Sequence, residues 1–264
     1  MKFANQPGAQ GAPGYPGLPL RSGVSAARLA GRALLAALCL WLSGANAGAP
    51  VAPKAVRAVY AGYMNGMSIG TVTELFEATA GTYTVLSETR PVGLAALVQR
   101  QPLRFTSKGD VTSDGLRPAY FESRRGAADA PQSVAEFDWT HSQLQLRHDA
   151  KTEWLPLNAG TQDRLSVMYQ FMFMPLGKAR HVDFWMTNGR KLDHYRYRVT
   201  PDVEIDTPLG RLKSTHLVKE RDAGDTHTEV WISPRHRNLA VKLLIVERDG
   251  IRYEQVLQNV EIRD

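Results

Sequence analysis

Cysteine is almost absent from this sequence: the only one, Cys39, lies in an apolar run near the N-terminus, and none follows it. Beyond that run the chain therefore has no disulfide, no thiolate nucleophile and no cysteine-ligated metal. Acidic residues are missing from the first 47 positions, which hold Lys2, Arg21, Arg28 and Arg32 but no Asp or Glu. The apolar run itself, residues 33–42 (ALLAALCLWL), is shorter than the roughly 20 residues a spanning helix needs. No later stretch is long and apolar enough either. Also lacking are a glycine-rich phosphate loop, a C-x-x-C pair and an H-E-x-x-H helix, the commonest nucleotide, redox and zinc-hydrolase signatures.

A basic segment, a short apolar core and the small residues Ala45-Asn46-Ala47 have the order of a secretory signal peptide. The expectation is a signal peptide over residues 1–47, cut after Ala47. A flexible start at 48–55 and one β-rich domain at 56–263 would follow. Leu38 stands before Cys39, where a lipoprotein signal requires a small residue. Removing the leader removes four of the 32 basic residues and leaves 28 against 26 acidic ones. A near-balanced charge does not suit a nucleic-acid partner, which calls for a concentrated basic surface. The expected location is the periplasm, with no membrane-integral segment after cleavage.

The dominant pattern in the remaining chain is alternation of apolar and polar residues broken by turn residues. It predicts roughly twelve strands, among them 56–64, 67–77, 82–89, 143–148, 181–187, 191–200, 203–206, 239–248 and 252–262. Asn65-Gly66, Ala80-Gly81, His141-Ser142, Asn188-Gly189 and Ala223-Gly224 are the hairpin turns. Residues 109–118 (GDVTSDGLRP) read as turn-rich, and 126–131 (GAADAP) as a mobile loop. One segment departs from the rhythm, 161-TQDRLSVMYQFMFMP-175. Thr161 can cap, Asp163 suits a helix N-terminus and Pro175 stops it. Leu165, Met168, Tyr169 and Met172 would share one face, and Val167, Phe171 and Met174 a second. A helix apolar on two sides is buried on both. The fold class is thus all-β and mainly antiparallel: a curved meander rolled into a barrel or half-barrel, with one principal helix, about 162–174, on or in its concave face.

The stretch 65-NGMSIG-70 contains G-M-S-I-G, a formal match to the nucleophile elbow of serine hydrolases. An elbow needs a strand turning sharply into a helix, whereas IGTVTELFE after Ser68 is a strand sequence. A turn at Asn65-Gly66 sets Met64 opposite Met67, Tyr63 opposite Ser68 and Ala61 opposite Gly70. Ser68 then sits within a ladder, and a serine hydrolase becomes a minor alternative.

In the hairpin 216–233, a turn at Ala223-Gly224 sets Glu220 opposite His227, Val218 opposite Glu229 and His216 opposite Trp231. Two His and two Glu share a face, but His216 and His227 stand roughly 10 Å or more apart along the ribbon, too far for one tetrahedral ion. No metal site and no cofactor is expected. Asp193 and His194 are neighbours on a strand and point to opposite faces, which leaves Asp183 as the cross-strand partner of His194. The run 194-HYRYRV-199 reads as a half-buried strand.

Aromatic and Met residues on and near the helix suggest an adaptable apolar pocket. Its expected lining is Phe171, Met172, Trp185, Trp231, Met168 and Trp154. No residue set presents a catalytic site.

Four stretches carry a family resemblance: Y-x-x-Y-M-N-G-M-S-I-G-T-V at 60–72, Q-D-R-L-S-V-M-Y at 162–169, D-T-P-L-G-R-L at 206–212 and T-E-V-W-I-S at 228–233. Over residues 56–263 the chain resembles the exported proteobacterial proteins grouped as domain of unknown function 3108. The resemblance implies an exported, mostly β protein without an assigned activity. By shape such a domain is similar to the half-barrel lipoprotein carriers of the bacterial envelope, an analogy of fold alone. The expected function is non-catalytic binding or carriage of an apolar small molecule such as a lipid or acyl chain. The alternative is a structural module that binds another envelope protein at a strand edge.

Overall fold

A computed structural model of the chain describes residues 51–98, 101–126, 131–221 and 224–264. The expected leader with its cleavage site at Ala47 lies outside the described residues, as do most of the loop at 126–131 and Ala223 of the expected turn.

Among the described residues, two short α-helices and fifteen strands follow one another. They are β1 (Ala55–Met64), β2 (Met67–Thr79), β3 (Thr82–Pro91), α1 (Ala95–Val98), β4 (Leu103–Thr112), β5 (Gly115–Arg125), β6 (Ser133–Asp138), β7 (Gln143–His148), β8 (Lys151–Pro156), β9 (Gln162–Asp163), α2 (Ser166–Gln170), β10 (His181–Thr187), β11 (Leu192–Thr207), β12 (Gly210–Lys219), β13 (His227–Ser233), β14 (Leu239–Val246) and β15 (Arg252–Arg263). All fifteen strands join one sheet, ordered β8-β7-β6-β5-β4-β3-β2-β1-β15-β14-β13-β12-β11-β10-β9. Every pairing is antiparallel except the short β9–β10 contact. The sheet is all-β, as the alternation requires, and does not close: β8 and β9 are its two edges.

Turn chemistry fixes the register. Asn65 and Gly66 both have positive φ, 50° and 81°, and the β1–β2 hairpin pairs Met64 with Met67 and Tyr63 with Ser68. Ile69 then bulges, so Gly70 faces Gly62 and not Ala61. A Cβ on Gly70 would meet the Arg90 carbonyl oxygen at 3.1 Å, so this position serves close strand approach.

Three expectations change. Residues 109–118 are not a loop: β4 and β5 pair as far as Thr112 and Gly115, with a register shift after Lys108 that leaves Ala119 without a partner and sets Pro118 opposite Gly109. The strands read separately at 191–200 and 203–206 are one, β11, kinked at a bulge around Pro201-Asp202. The helix of about 162–174 is shorter. Gln162 and Asp163 extend along β10, α2 covers only Ser166–Gln170, and a 3-10 turn, Phe171–Phe173, completes it. Asp163 does mark its start. The carboxylate accepts the amides of Leu165 and Ser166 at 2.8 and 2.9 Å.

Its two stripes separate as the periodicity predicts. Leu165, Tyr169 and Phe173 join a core with Phe76, Tyr83, Phe121, Leu144 and Leu146, on the inner face of β2–β7. Val167 and Phe171 join a second core with Val182, Tyr197, Leu217, Val230 and Ile232, on the inner face of β10–β13. The segment is thus a plug shared by the two halves of one curved sheet. Tyr169 stacks on Phe76 with centroids 5.0 Å apart, and both are fully buried.

Candidate functional site

Polar side chains fasten the plug to the N-terminal half of the sheet. Asp163 accepts a hydrogen bond from Ser107 at 2.5 Å, and Ser107 is also paired with the Tyr83 hydroxyl at 3.0 Å. The Tyr169 hydroxyl donates to Glu74 at 3.1 Å, and Ser87 donates to the same carboxylate at 3.4 Å. Gln170 accepts the Leu116 amide at 2.7 Å and donates to the Asp114 carbonyl at 2.8 Å, gripping the β4–β5 turn. From the other side Asn238 donates to the Phe171 carbonyl at 3.2 Å.

These carboxylates sit in an apolar wall. Burial pushes Glu74 up to about 7, against the hydrogen bonds from Tyr169 and Ser87 and the attraction of Arg164. Burial likewise raises Asp163 to about 6, opposed by Ser107 and the helix amides. Loss of hydration outweighs hydrogen bonding at both.

The C-terminal half is not filled in the same way. A cavity of about 1010 Å³ opens on the inner face of β10–β14. This lies at the upper end of the ~300–1,000 Å³ usual for ligand clefts. Its floor is apolar: Tyr197 is buried, and Phe184, Tyr195, Met168, Leu243 and Ile245 are half-buried. Phe184 stacks on Tyr195 and Tyr197 with centroids 6.1 and 5.5 Å apart. A smaller space of about 190 Å³, walled by Glu74, Phe105 and Leu165, adjoins it through the shared residues Arg164, Met168 and Leu243.

The rim is charged. Lys191 pairs with Asp193 at 2.5 Å, Arg196 with Glu220 at 3.2 Å and Arg248 with Asp225 at 3.0 Å. Arg164 differs: it is solvent-exposed, yet walled by protein on the concave side, which pulls its pKa below the ordinary guanidinium value by loss of hydration. Its guanidinium carbon stands over the Phe105 ring, 4.5 Å from the centroid.

Of the six expected lining residues, Phe171 and Met168 border the large cavity. Met172 packs against the first core. Trp185 is tilted against His194, centroids 5.1 Å apart, while its neighbours Phe184 and Met186 face the cavity. Trp231 stacks on His216 at 4.4 Å with Lys242 over it. Strand parity separates Trp185 and Trp231 from the lining, because successive residues face opposite ways. Trp154 is 56% exposed on the edge strand β8. The expected pocket at these three tryptophans is therefore replaced by one at Phe184, Tyr195, Tyr197 and Arg164. Tyr195 and Tyr197 share a face of the strand that reads as half-buried in the sequence. Nothing in the sequence distinguished Arg164 from a solvated helix charge.

The remaining constellations do not assemble a reaction centre. The 216–233 hairpin has the expected register, Val218 opposite Glu229 and His216 opposite Trp231. Its polar pairing differs: Glu229 bridges His216 and His227, each at 2.7 Å. Burial works to raise Glu229, but the two imidazole contacts prevail and lower it. Glu220, expected opposite His227, pairs instead with Arg196 and with His181 at 3.1 Å. His194 stands 3.8 Å from Asp183. Ser68 is exposed, and no hydrogen bond joins it to a histidine among the described residues. Ser233 and His236 are 2.8 Å apart, but Ser233 is fully buried at a 3-10 turn.

The family model described as "Protein of unknown function (DUF3108)" matches residues 58–256, and the chain belongs to that family. No curated protein matches it. Among solved structures, the chain is similar to a β-barrel-like protein of domain of unknown function DUF1849 from Brucella abortus. That likeness has a TM-score of 0.52 at 13% identity, over 81% of this chain and 100% of the other. A putative exported protein with YmcC-like fold from Bacteroides fragilis aligns with a TM-score of 0.30 at 10% identity, over 80% of this chain and 97% of the other. At these identities the first likeness speaks for the fold alone.

Proposed function

We propose that this member of the DUF3108 family is a non-catalytic carrier of an apolar ligand, exported to the periplasm, which holds an acyl chain against the inner face of β10–β14. One observation carries the reading. A single curved sheet gathers its largest buried core on one half and keeps a cavity of about 1010 Å³ over the half-buried rings of Phe184 and Tyr195 on the other. A structural sheet would bury those rings, since each aromatic ring removed from water stabilises the fold by about 1.5–3 kcal/mol. The leader expected over residues 1–47 supports export, and a non-catalytic role is supported by the one serine–histidine pair noted above, Ser233–His236, being closed off by the full burial of Ser233.

Native mass spectrometry of the protein, extracted mildly from an envelope fraction, tests this. A bound mass that Thr228→Trp, on the cavity wall, removes without unfolding the chain is the expected result. A ligand-free spectrum, together with no uptake of the neutral dye N-phenylnaphthylamine, overturns it.

A second reading has its own observation: β8 is an unpaired edge carrying the exposed Trp154. An envelope protein adding a strand there would be recovered by crosslinking from position 154, and a proline at Thr152 would abolish that product.

A further inference from the structure

The cavity wall contains two cations that form no ion pair with a carboxylate among the described residues. Arg164 makes no ion pair or side-chain hydrogen bond among the described residues; its guanidinium lies over the Phe105 ring, and Glu74 and Asp163 attract it only from beyond ion-pair distance. Lys219, opposite Tyr197 on the inner face, has its ammonium over the Tyr195 ring, 4.9 Å from the centroid, and no carboxylate within ion-pair distance. Both border the same cavity and both reach Tyr195: Arg164 is near enough to oppose the rise that burial imposes on the tyrosine's pKa. The other cavity cations are engaged. Lys191, Arg196 and Arg248 hold carboxylates, and Arg221 donates to the Asp225 carbonyl at 2.7 Å. Their charged heads are free of a direct carboxylate partner, so an arriving anion can take charge-assisted hydrogen bonds from both. Ring contacts pre-orient both heads without neutralising them.

We infer that the cavity takes an amphiphile with one anionic head group, a carboxylate or a phosphate monoester, held by Arg164 and Lys219 while its acyl chain lies along Phe184, Tyr195 and Tyr197. This rests on the carrier reading and adds the chemistry of the head. The planar fork of Arg164 suits a bidentate oxyanion, and the ammonium of Lys219 adds a point charge. Phe171 and Met168 also border the cavity, so the plug adds apolar contacts for the chain beside those of the floor.

The test displaces N-phenylnaphthylamine from the full protein with dodecanoate, dodecyl phosphate and dodecanol, which share a chain and differ in the head. Either anion should bind at least ten-fold more tightly than dodecanol, a difference of about 1.4 kcal/mol. Whichever anion binds better identifies the head. Arg164→Gln and Lys219→Gln should each weaken the anions about ten-fold and leave dodecanol unchanged, and the double variant should erase the preference. Raised salt should weaken the anions only. Thermal melting confirms that the variants fold; Arg164→Lys, which keeps the charge but not the fork, should hold an intermediate affinity. Equal binding of dodecanol and the anions by the unaltered protein overturns the inference, as does an undiminished anion preference in the double variant, and the carrier reading survives both. If the dye and all three amphiphiles fail to bind, the carrier reading falls and this inference falls with it.

Discussion

The two halves of the sheet use the same strands to different ends. On the inner face of β2–β7, large side chains meet Leu165, Tyr169 and Phe173, and Phe76, Tyr83 and Phe121 are buried almost completely; even the buried polar groups Glu74, Ser87 and Ser107 find partners in the plug or on the facing strands. On the inner face of β10–β14 the plug contributes Arg164, Val167, Phe171 and the half-exposed Met168 near the cavity, and Phe184 and Tyr195 stay half-buried. Curvature alone therefore does not make a binding site. The difference lies in how far a short plug reaches. Its hydrogen bonds are directed mainly at the N-terminal half, and the C-terminal half is left with surplus concave surface.

Breaking the packed half should have the largest effect. Phe76→Ala removes a fully buried ring that stacks between Tyr83 and Tyr169. Its expected cost is about 3–5 kcal/mol in urea unfolding. Tyr195→Ala, in the open half, should cost far less, and equal costs would erase the contrast.

The next effect is a pH slope confined to the packed half. Glu74, raised from 4.5 to about 7, binds its proton more tightly in the folded chain than in the unfolded one. The folded state therefore gains most below pH 4.5 and loses that gain as pH rises towards about 7, by roughly 3 kcal/mol in total. Asp163, raised to about 6, adds a slope of the same sign over a lower window. Unfolding midpoints at pH 5 and pH 8 should differ in the unaltered protein, and Glu74→Gln should flatten most of the difference. An unchanged slope would place the proton elsewhere.

A smaller effect is expected where the halves meet. Gly189, at φ +84°, tucks the β10–β11 turn against the first half, and a Cβ there would stand 2.6 Å from Ser133 Oγ and 3.1 Å from Phe121. Gly189→Ala should cost about 1–3 kcal/mol, read as a lower urea midpoint. A neutral result would mean that the turn gives way easily.

Smallest of all on stability, within about 0.5 kcal/mol, should be Thr228→Trp in the open half, which fills space and displaces little. Dye binding should nevertheless be lost. A large destabilisation would show the cavity wall to be packed as tightly as its counterpart.

The hairpins were legible because Asn65-Gly66 and Asn188-Gly189 carry both turn chemistry and register, and both reappear as turns. The two-sided helix was legible as stripes but not in length, because Asp163 could equally cap a helix at 164 or end a strand and start a turn later. The strand at 109–112 was hidden by its Gly and Asp, which weaken β propensity but are tolerated beside a bulge. Among the site residues, Phe171 and Met168 followed from helical periodicity. Trp185 and Trp231 stand out by size, although alternation with Phe184 and Val230 assigns them to the other face. Arg164 was beyond reach, since a cation in a concavity and a cation in bulk water look alike until the far wall is known.

The order of strands has one more consequence. Ala55 faces Arg263 across the β1–β15 ladder, while the two free edges, β8 and β9, are separated by only residues 157–161. The connectivity is thus a cyclic shift of a simple progression. A permutant that ties residue 264 to residue 54 through a few glycines and starts near Gly160 would read β9 to β15, then β1 to β8, the same order as the sheet. Its one distant ladder would become a neighbouring hairpin. Such a chain should fold faster than the natural one and still bind the same ligand.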